Sequence, residues 1–512
     1  MLPLLFLAAC ATSPPAPEGP VFVRDGVVLG TEVTGARALP GDRWLVEVPW
    51  TPGAEVVVGD SALRAPTMAE CVPLFHVDLG DVAMRVAAKG AAPDTALAFS
   101  PDGSLLAIGS YGGQLLLVDA WSGEVRARRR LAESMLKQVA WSPDGRVLYA
   151  GEQSPDAFLY ALDAGSLETR WQARLADRVG SSAPPPADDL YGVYTLPGAY
   201  GVHVLPDGDL LVAAVHAWNP EEGARRNLSQ MVLFSPDGAE RARWPDEAVS
   251  VTLMHPRVGD GLVAVPVGRS ATGPDPADLP VNGIQVLSLP HLEPVTAATY
   301  SPLAPWFTSV FLWEAVDIGG GALLAGLADG RVVRHELASG VSAQTDLGSP
   351  ILAGDVPISA PIGHALLDDD RVVVVTGATT IPYGAAQTAM HPPAPHPNAN
   401  ALWVLDSALE LVWTWRGPHD LEGLTTDPAG QTLVVGAGKR HSDGRRDLFG
   451  ALVFDLAGEG TGAERLQTFC ATEAPVFFRQ VVTADGRVAV VEYPYTQAEG
   501  ALAGRYQVTV LR

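Results

Sequence analysis

Ala98-Phe99-Ser100-Pro101-Asp102-Gly103-Ser104-Leu105-Leu106-Ala107-Ile108-Gly109 and Ala140-Trp141-Ser142-Pro143-Asp144-Gly145-Arg146-Val147-Leu148-Tyr149-Ala150-Gly151 are two copies of one unit. Each reads as a strand, a tight turn and a second strand. Pro presets φ in the turn, Asp hydrogen-bonds the backbone ahead of it, and Gly takes the left-handed conformation. Looser copies turn at Pro206-Asp207-Gly208, Gly259-Asp260-Gly261, Gly319-Gly320-Gly321, Asp368-Asp369-Asp370, Pro428-Ala429-Gly430 and Ala484-Asp485-Gly486. Successive turns end 42 to 63 residues apart. A period of roughly 40–60 residues with several strands per unit marks a radial array of small sheets, because one such sheet cannot bury its own faces.

The second unit supports four predicted strands, over 138–141, 147–151, 158–162 and 169–173. Its third and fourth strands carry another pattern, Leu159-Tyr160-Ala161-Leu162-Asp163-Ala164-Gly165 followed by Trp171. That pattern returns as Leu402-Trp403-Val404-Leu405-Asp406 followed by Trp413. On these residues the chain resembles WD40-like propellers in its Ser-Pro-Asp-Gly turns and quinoprotein (PQQ)-like propellers in its Leu-Asp…Trp strand pairs. The resemblance runs over about residues 90–512. It implies an all-β fold, a β-propeller of four-stranded antiparallel blades. Counting turns predicts eight blades, with seven as the alternative. The likeness to quinoproteins stops at the blades. Quinoprotein dehydrogenases usually carry a vicinal Cys pair near the cofactor, and this sequence has none, so no cofactor is expected.

The eighth unit is one strand short: the sequence ends after predicted strands at 476–482, 487–493 and 506–511. Pro73-Leu74-Phe75-His76-Val77-Asp78-Leu79 precedes the first unit and has no other place. Residues 73–79 are therefore expected to complete the last blade, which removes an exposed sheet edge. Cys71 begins that strand and Cys470 lies between the seventh and eighth units. An oxidising compartment allows the two to bond, the alternative being two buried thiols.

The third cysteine decides the expected address. Leu7-Ala8-Ala9-Cys10 follows an apolar run and has the form of a lipobox, resembling a bacterial lipoprotein signal with lipidation at Cys10. The Pro-rich stretch from Ala11 to Pro20 reads as an extended tether. Ala rather than Asp at position 11 implies, by the same resemblance, sorting to the outer membrane. Residues 1–20 are thus assigned to signal and tether, 21–70 to a small β-rich module, and 71–512 to the propeller.

With Lys+Arg 34 against Asp+Glu 58, the formal charge is -24, which repels phosphate backbones and disfavours nucleic acid as a partner. No later segment reaches the ~18 continuous apolar residues of a membrane span. Membrane contact is expected through the lipid anchor only, and the protein is expected to be a monomer.

Alternating antiparallel strands place the tight turns on one rim and the long connections on the other. The long set comprises 218–229, 269–282, 379–400, 439–449 and 493–504. Variable loops on a rigid scaffold are where binding usually resides. That rim collects Trp218, Tyr383, His391, His396, Arg440, His441, Tyr493 and Tyr495 as candidate partner-binding residues, with His216 beside Trp218. Aromatic and Arg side chains are the usual hot-spot types. The histidines lack the tight spacing of a metal motif, and no metal is expected. Gly-X-Ser-X-Gly, phosphate-cradling Gly loops and His-Glu-X-X-His are all missing, so no catalytic residue is named. The expectation is a non-catalytic envelope scaffold that binds a protein or glycan. The contrasting readings are an exported propeller enzyme (hydrolase, lactonase or oxidoreductase) and a glycan binder using Trp218, Tyr383 and Tyr493.

Overall fold

The computed structural model describes residues 71–80, 95–186, 189, 192–219, 225–269, 275–307, 315–368, 370–382, 392–417, 419–438, 449–497 and 501–512, with five short strands between 22 and 59. The architecture is that of an eight-bladed β-propeller. Blades one to seven occupy 96–130, 135–174, 198–249, 257–299, 316–346, 362–416 and 421–471, each a four-stranded antiparallel sheet in chain order. A single pair, Gln153 with Gly198, links blades two and three. The eighth blade takes Val476–Val482, Val488–Glu492 and Gln507–Leu511 from the end of the chain and Pro73–Asp78 from its beginning. There Val508 pairs with Val77 and Thr509 with His76.

Burial explains the strand compositions. The second strands, such as Leu105–Gly109 and Arg371–Thr376, are almost continuously apolar because each blade is covered on both faces. Outermost strands such as Val125–Arg130 and Ser342–Asp346 are largely exposed and polar. Eight apolar clusters fill the seams between neighbouring blades. The one between blades eight and one contains Val508 and Val510 against Leu106 and Ile108. Another, between blades six and seven, sets Trp413 and Trp415 against Leu433 and Phe454. Gly151 lets blade three approach: a Cβ there would lie 2.5 Å from that of Ala199. Gly326 plays the same part against Ile362.

The tight turns are locked by their own side chains. Ser142 Oγ donates to Asp144 Oδ1 at 2.6 Å and accepts from the Val147 N–H at 2.9 Å. Ser100 and Asp102 repeat these bonds in blade one. A further Ser-Pro-Asp-Gly at 235–238 closes the third and fourth strands of blade three, on the same rim. The Asp of the Leu-Asp…Trp pattern also caps a turn, Asp163 accepting from the Gly165 and Ser166 N–H groups at 3.0 and 3.1 Å. Its Trp171 reaches the next blade and donates to the Pro236 carbonyl at 2.8 Å.

Outside the propeller, Phe22–Arg24 pairs with Val27–Leu29, and Arg37–Leu39, Arg43–Glu47 and Glu55–Gly59 form a three-stranded sheet. Among the described residues no helix is long and apolar enough to cross a membrane.

Candidate functional site on the long-connection rim

The two rims differ sharply. Every link between the first and second strands of a blade is a short turn, whereas the opposite rim carries 175–197, 219–225, 268–282, 300–315, 347–361, 377–400, 438–449 and 493–506. Some of these links fold on themselves: Ile351–Ala353 pairs with Val356–Ile358, and Tyr495–Thr496 with Leu502–Ala503.

Blade three brings two of the named residues together on this rim. Its central strands, Leu210–Trp218 and Arg226–Phe234, pair as far as Trp218 with Arg226. Trp218, expected in a loop, therefore stands at a strand end, because the hairpin continues beyond the sheet core. His216, two residues earlier, shares its side of the strand. Their rings stack with centroids 4.2 Å apart and planes 22° from parallel. His216 is buried and Trp218 half-exposed. His216 Nδ1 lies 3.0 Å from the Val179 carbonyl, and Nε2 lies 2.6 Å from Ser182 Oγ. Burial holds the imidazole below its usual pKa, opposed by the carbonyls of Val179 and Thr195. Ser182 follows the short helix Ala176–Val179 and Gly180, whose φ is +81°. Nothing in the sequence singles out Ser182; it meets His216 only because the connection 175–197 folds over the end of the strand that carries His216.

The other candidates sort by depth. His396 is 3% exposed. Its Nε2 lies 3.1 Å from the Ser349 carbonyl and its Nδ1 accepts from the Asn398 N–H at 3.1 Å. Burial pushes its pKa down to about 4, helped by the Arg416 charge. Arg416 is itself tied to the Pro397 carbonyl and Asn398 Oδ1. Tyr493 and Tyr495 are 0% and 8% exposed. Tyr493 stacks on Tyr506, and Tyr495 packs edge-on against Phe449. These three residues correct the expectation of exposed loop anchors: Tyr493 joins the apolar seam between blades eight and one, Tyr495 packs in a small cluster with Phe449 and Ala474, and His396 is held by its hydrogen bonds to the backbone. Tyr383, His391, Arg440, His441 and Cys10 lie outside the described residues. Among the described residues no three His, Cys, Asp or Glu side chains converge as metal ligands.

Innermost strands bring together a second set of ionisable groups that the sequence reading did not name. Burial lowers the pKa of His203 to about 4, and the charges of Arg257, His255 and Arg479 act in the same direction. Blades three, four and eight supply these groups, which places His203 toward the axis. Asp317 accepts from the Leu367 N–H at 2.8 Å, and burial raises its pKa. His364 Nε2 lies 3.8 Å from Glu422 Oε1.

With this geometry in place, residues 95–119, the strand–turn–strand–strand of blade one, match the WD40 family model (WD domain, G-beta repeat). The chain carries WD40-like repeats. It is also similar to Tricorn protease homolog 1 of Streptomyces coelicolor, 34% identical over 153 residues. That match takes in 27% of this chain and 13% of the relative, so the chain spans only a small part of that protein's length. WD40-like blades are a framework shared by scaffolds and enzymes, and the repeats themselves specify neither.

Proposed function

We propose that the protein is a lipid-anchored envelope scaffold that binds a protein partner through its long-connection rim. The asymmetry between the rims carries this reading: long connections gather on one side of a rigid ring, and the other side has turns closed by their own side chains. The lipobox ending at Cys10 and the Pro-rich tether after it support attachment to a membrane, by resemblance to outer-membrane lipoproteins. The net charge of -24 supports a protein rather than a nucleic acid as the partner.

The test has two arms. Cys10→Ser should move the protein from the membrane fraction to the soluble fraction, and unchanged retention removes the anchor from the proposal. A pull-down from solubilised envelope should then recover a partner that Trp218→Ala weakens and Ser142→Ala does not. The reverse pattern assigns binding to the opposite rim.

A further inference from the structure

We propose that Ser182 and His216 form a nucleophile–base pair that cleaves small neutral carboxylic esters on this rim. The inference stands apart from the scaffold reading and adds a chemical activity to the same surface. It begins with the proton on His216. The Val179 carbonyl can only accept, so the ring nitrogen 3.0 Å from it, Nδ1, carries the hydrogen. Nε2 is then the acceptor, and the Ser182 hydroxyl 2.6 Å away donates to it. This is the arrangement that activates a serine: the base in hydrogen-bond reach of the nucleophile, and a third group fixing the base's tautomer. Here a backbone carbonyl takes the third place.

Three further features fit the chemistry. His216 is 2% exposed and held by its stack with Trp218, so its nitrogen is fixed in direction. Ser182 keeps solvent access, with Ser181 and Ala183 exposed on either side of it. Among the described residues the N–H groups of Ser182 and Ala183 have no acceptor. The N–H of the residue after a nucleophilic serine is a recurrent oxyanion donor. Pro184, Pro185 and Pro186 follow, restricting the backbone just beyond these donors. Half-exposed Trp218 supplies apolar surface for the acyl or alkyl group.

The reaction balances with water as the only co-reactant. Ser182 Oγ bonds to the ester carbonyl carbon as its proton passes to His216 Nε2. The tetrahedral oxyanion faces the Ser182 and Ala183 N–H groups. Collapse breaks the bond to the leaving oxygen, which takes the proton from Nε2 and departs as an alcohol. Water then adds to the acyl-serine, giving its proton to Nε2. The second collapse releases the carboxylic acid and returns the proton to Ser182.

A fluorophosphonate probe and p-nitrophenyl acetate test this on the full mature chain. The expected result is one covalent adduct, mapped by peptide mass to Ser182, with p-nitrophenol release above buffer background. Ser182→Ala should abolish the adduct and lower release on the order of 100-fold, the usual scale of acid–base assistance. Ser181→Ala should change neither, since that hydroxyl already donates to the Pro155 carbonyl. His216→Gln should slow labelling if its melting curve shows it folded. Ser182, being partly exposed, gives a variant that decides the matter even if His216→Gln unfolds. Absence of an adduct on folded wild type, an adduct on another residue, or equal labelling of Ser182→Ala overturns the proposal. Any of these leaves the pull-down result, and hence the scaffold reading, untouched.

Discussion

Cys71 and Cys470 are joined by a disulfide, with Cα atoms 5.0 Å apart and a separation of 399 positions in sequence. Cys71 lies two residues before the closing strand, and Cys470 lies in the last strand of blade seven. The bond therefore fastens the beginning of the propeller to the blade next to the one it completes. Backbone bonds run beside it: the Val72 N–H donates to the Arg512 carbonyl at 3.0 Å and the Arg512 N–H returns to Val72 at 3.1 Å.

Replacing both cysteines by serine should lower stability by about 2–5 kcal/mol, chiefly by freeing a very long loop in the unfolded chain. Reductant should shift the denaturation midpoint of the wild type toward that of the double variant and leave the variant unmoved. A wild type insensitive to reductant would show that the bond adds nothing to the seam.

The closing strand itself is tested by truncation to a chain beginning at Val82. Gln507–Leu511 then becomes an open edge, and Val77 leaves the cluster it shares with Val508 and Val510. Broadened thermal unfolding or aggregation is expected in light scattering. A truncated chain that melts as sharply as the full-length one would refute closure as a source of cooperativity.

The rim residues now separate by burial. Tyr495→Ala and Tyr493→Ala should each cost roughly 3–5 kcal/mol, as buried aromatic truncations do. Trp218→Ala, at a half-exposed strand end, should cost about 1 kcal/mol through loss of its stack on His216. Chemical denaturation of the three variants should rank them in that order, Trp218→Ala being the mildest.

On the opposite rim, Ser142→Ala removes a donor to Asp144 and an acceptor for the Val147 N–H. A loss of about 1–2 kcal/mol is expected. Circular dichroism should show the fold retained, with only the unfolding midpoint lowered.

Acid sensitivity follows from the buried histidines. His396 titrates at about 4 in the folded protein and near 6.5 when unfolded. Between those values the unfolded chain binds more protons, so this contribution is complete above pH 6.5 and is lost as pH falls toward 4. His203, also at about 4, has the same sign. His396→Gln should be less stable at pH 7.5 and show a shallower loss of melting temperature between pH 6.5 and 4.5. An unchanged slope would assign the acid response to other groups.

Much of the ring is legible in the chain because its information is local and repeated. The units at 98–109 and 140–151 declare a strand, a turn and a strand through residue types whose backbone preferences act within a few positions. The strands of blade two, Met135–Trp141, Val147–Gln153, Phe158–Asp163 and Thr169–Arg174, lie over their predicted spans and extend one to three residues further at several ends. Eight such turns and one unpaired strand also favour eight blades over the alternative of seven, the number the sheets then show.

What only the tertiary structure decided is depth and company. Tyr493, Tyr495 and His396 sit in connections that look alike in sequence to Trp218's, yet folding buries them and leaves Trp218 half-exposed at a strand end. Whether a loop residue faces water depends on how its connection curls over neighbouring blades, and no period in the sequence encodes that. Ser182 and His216 are 34 residues apart, one on a connection and the other in a strand, and neither belongs to a motif. Their meeting is a product of long-range packing, because the path from blade two to blade three must cross the end of the strand that carries His216.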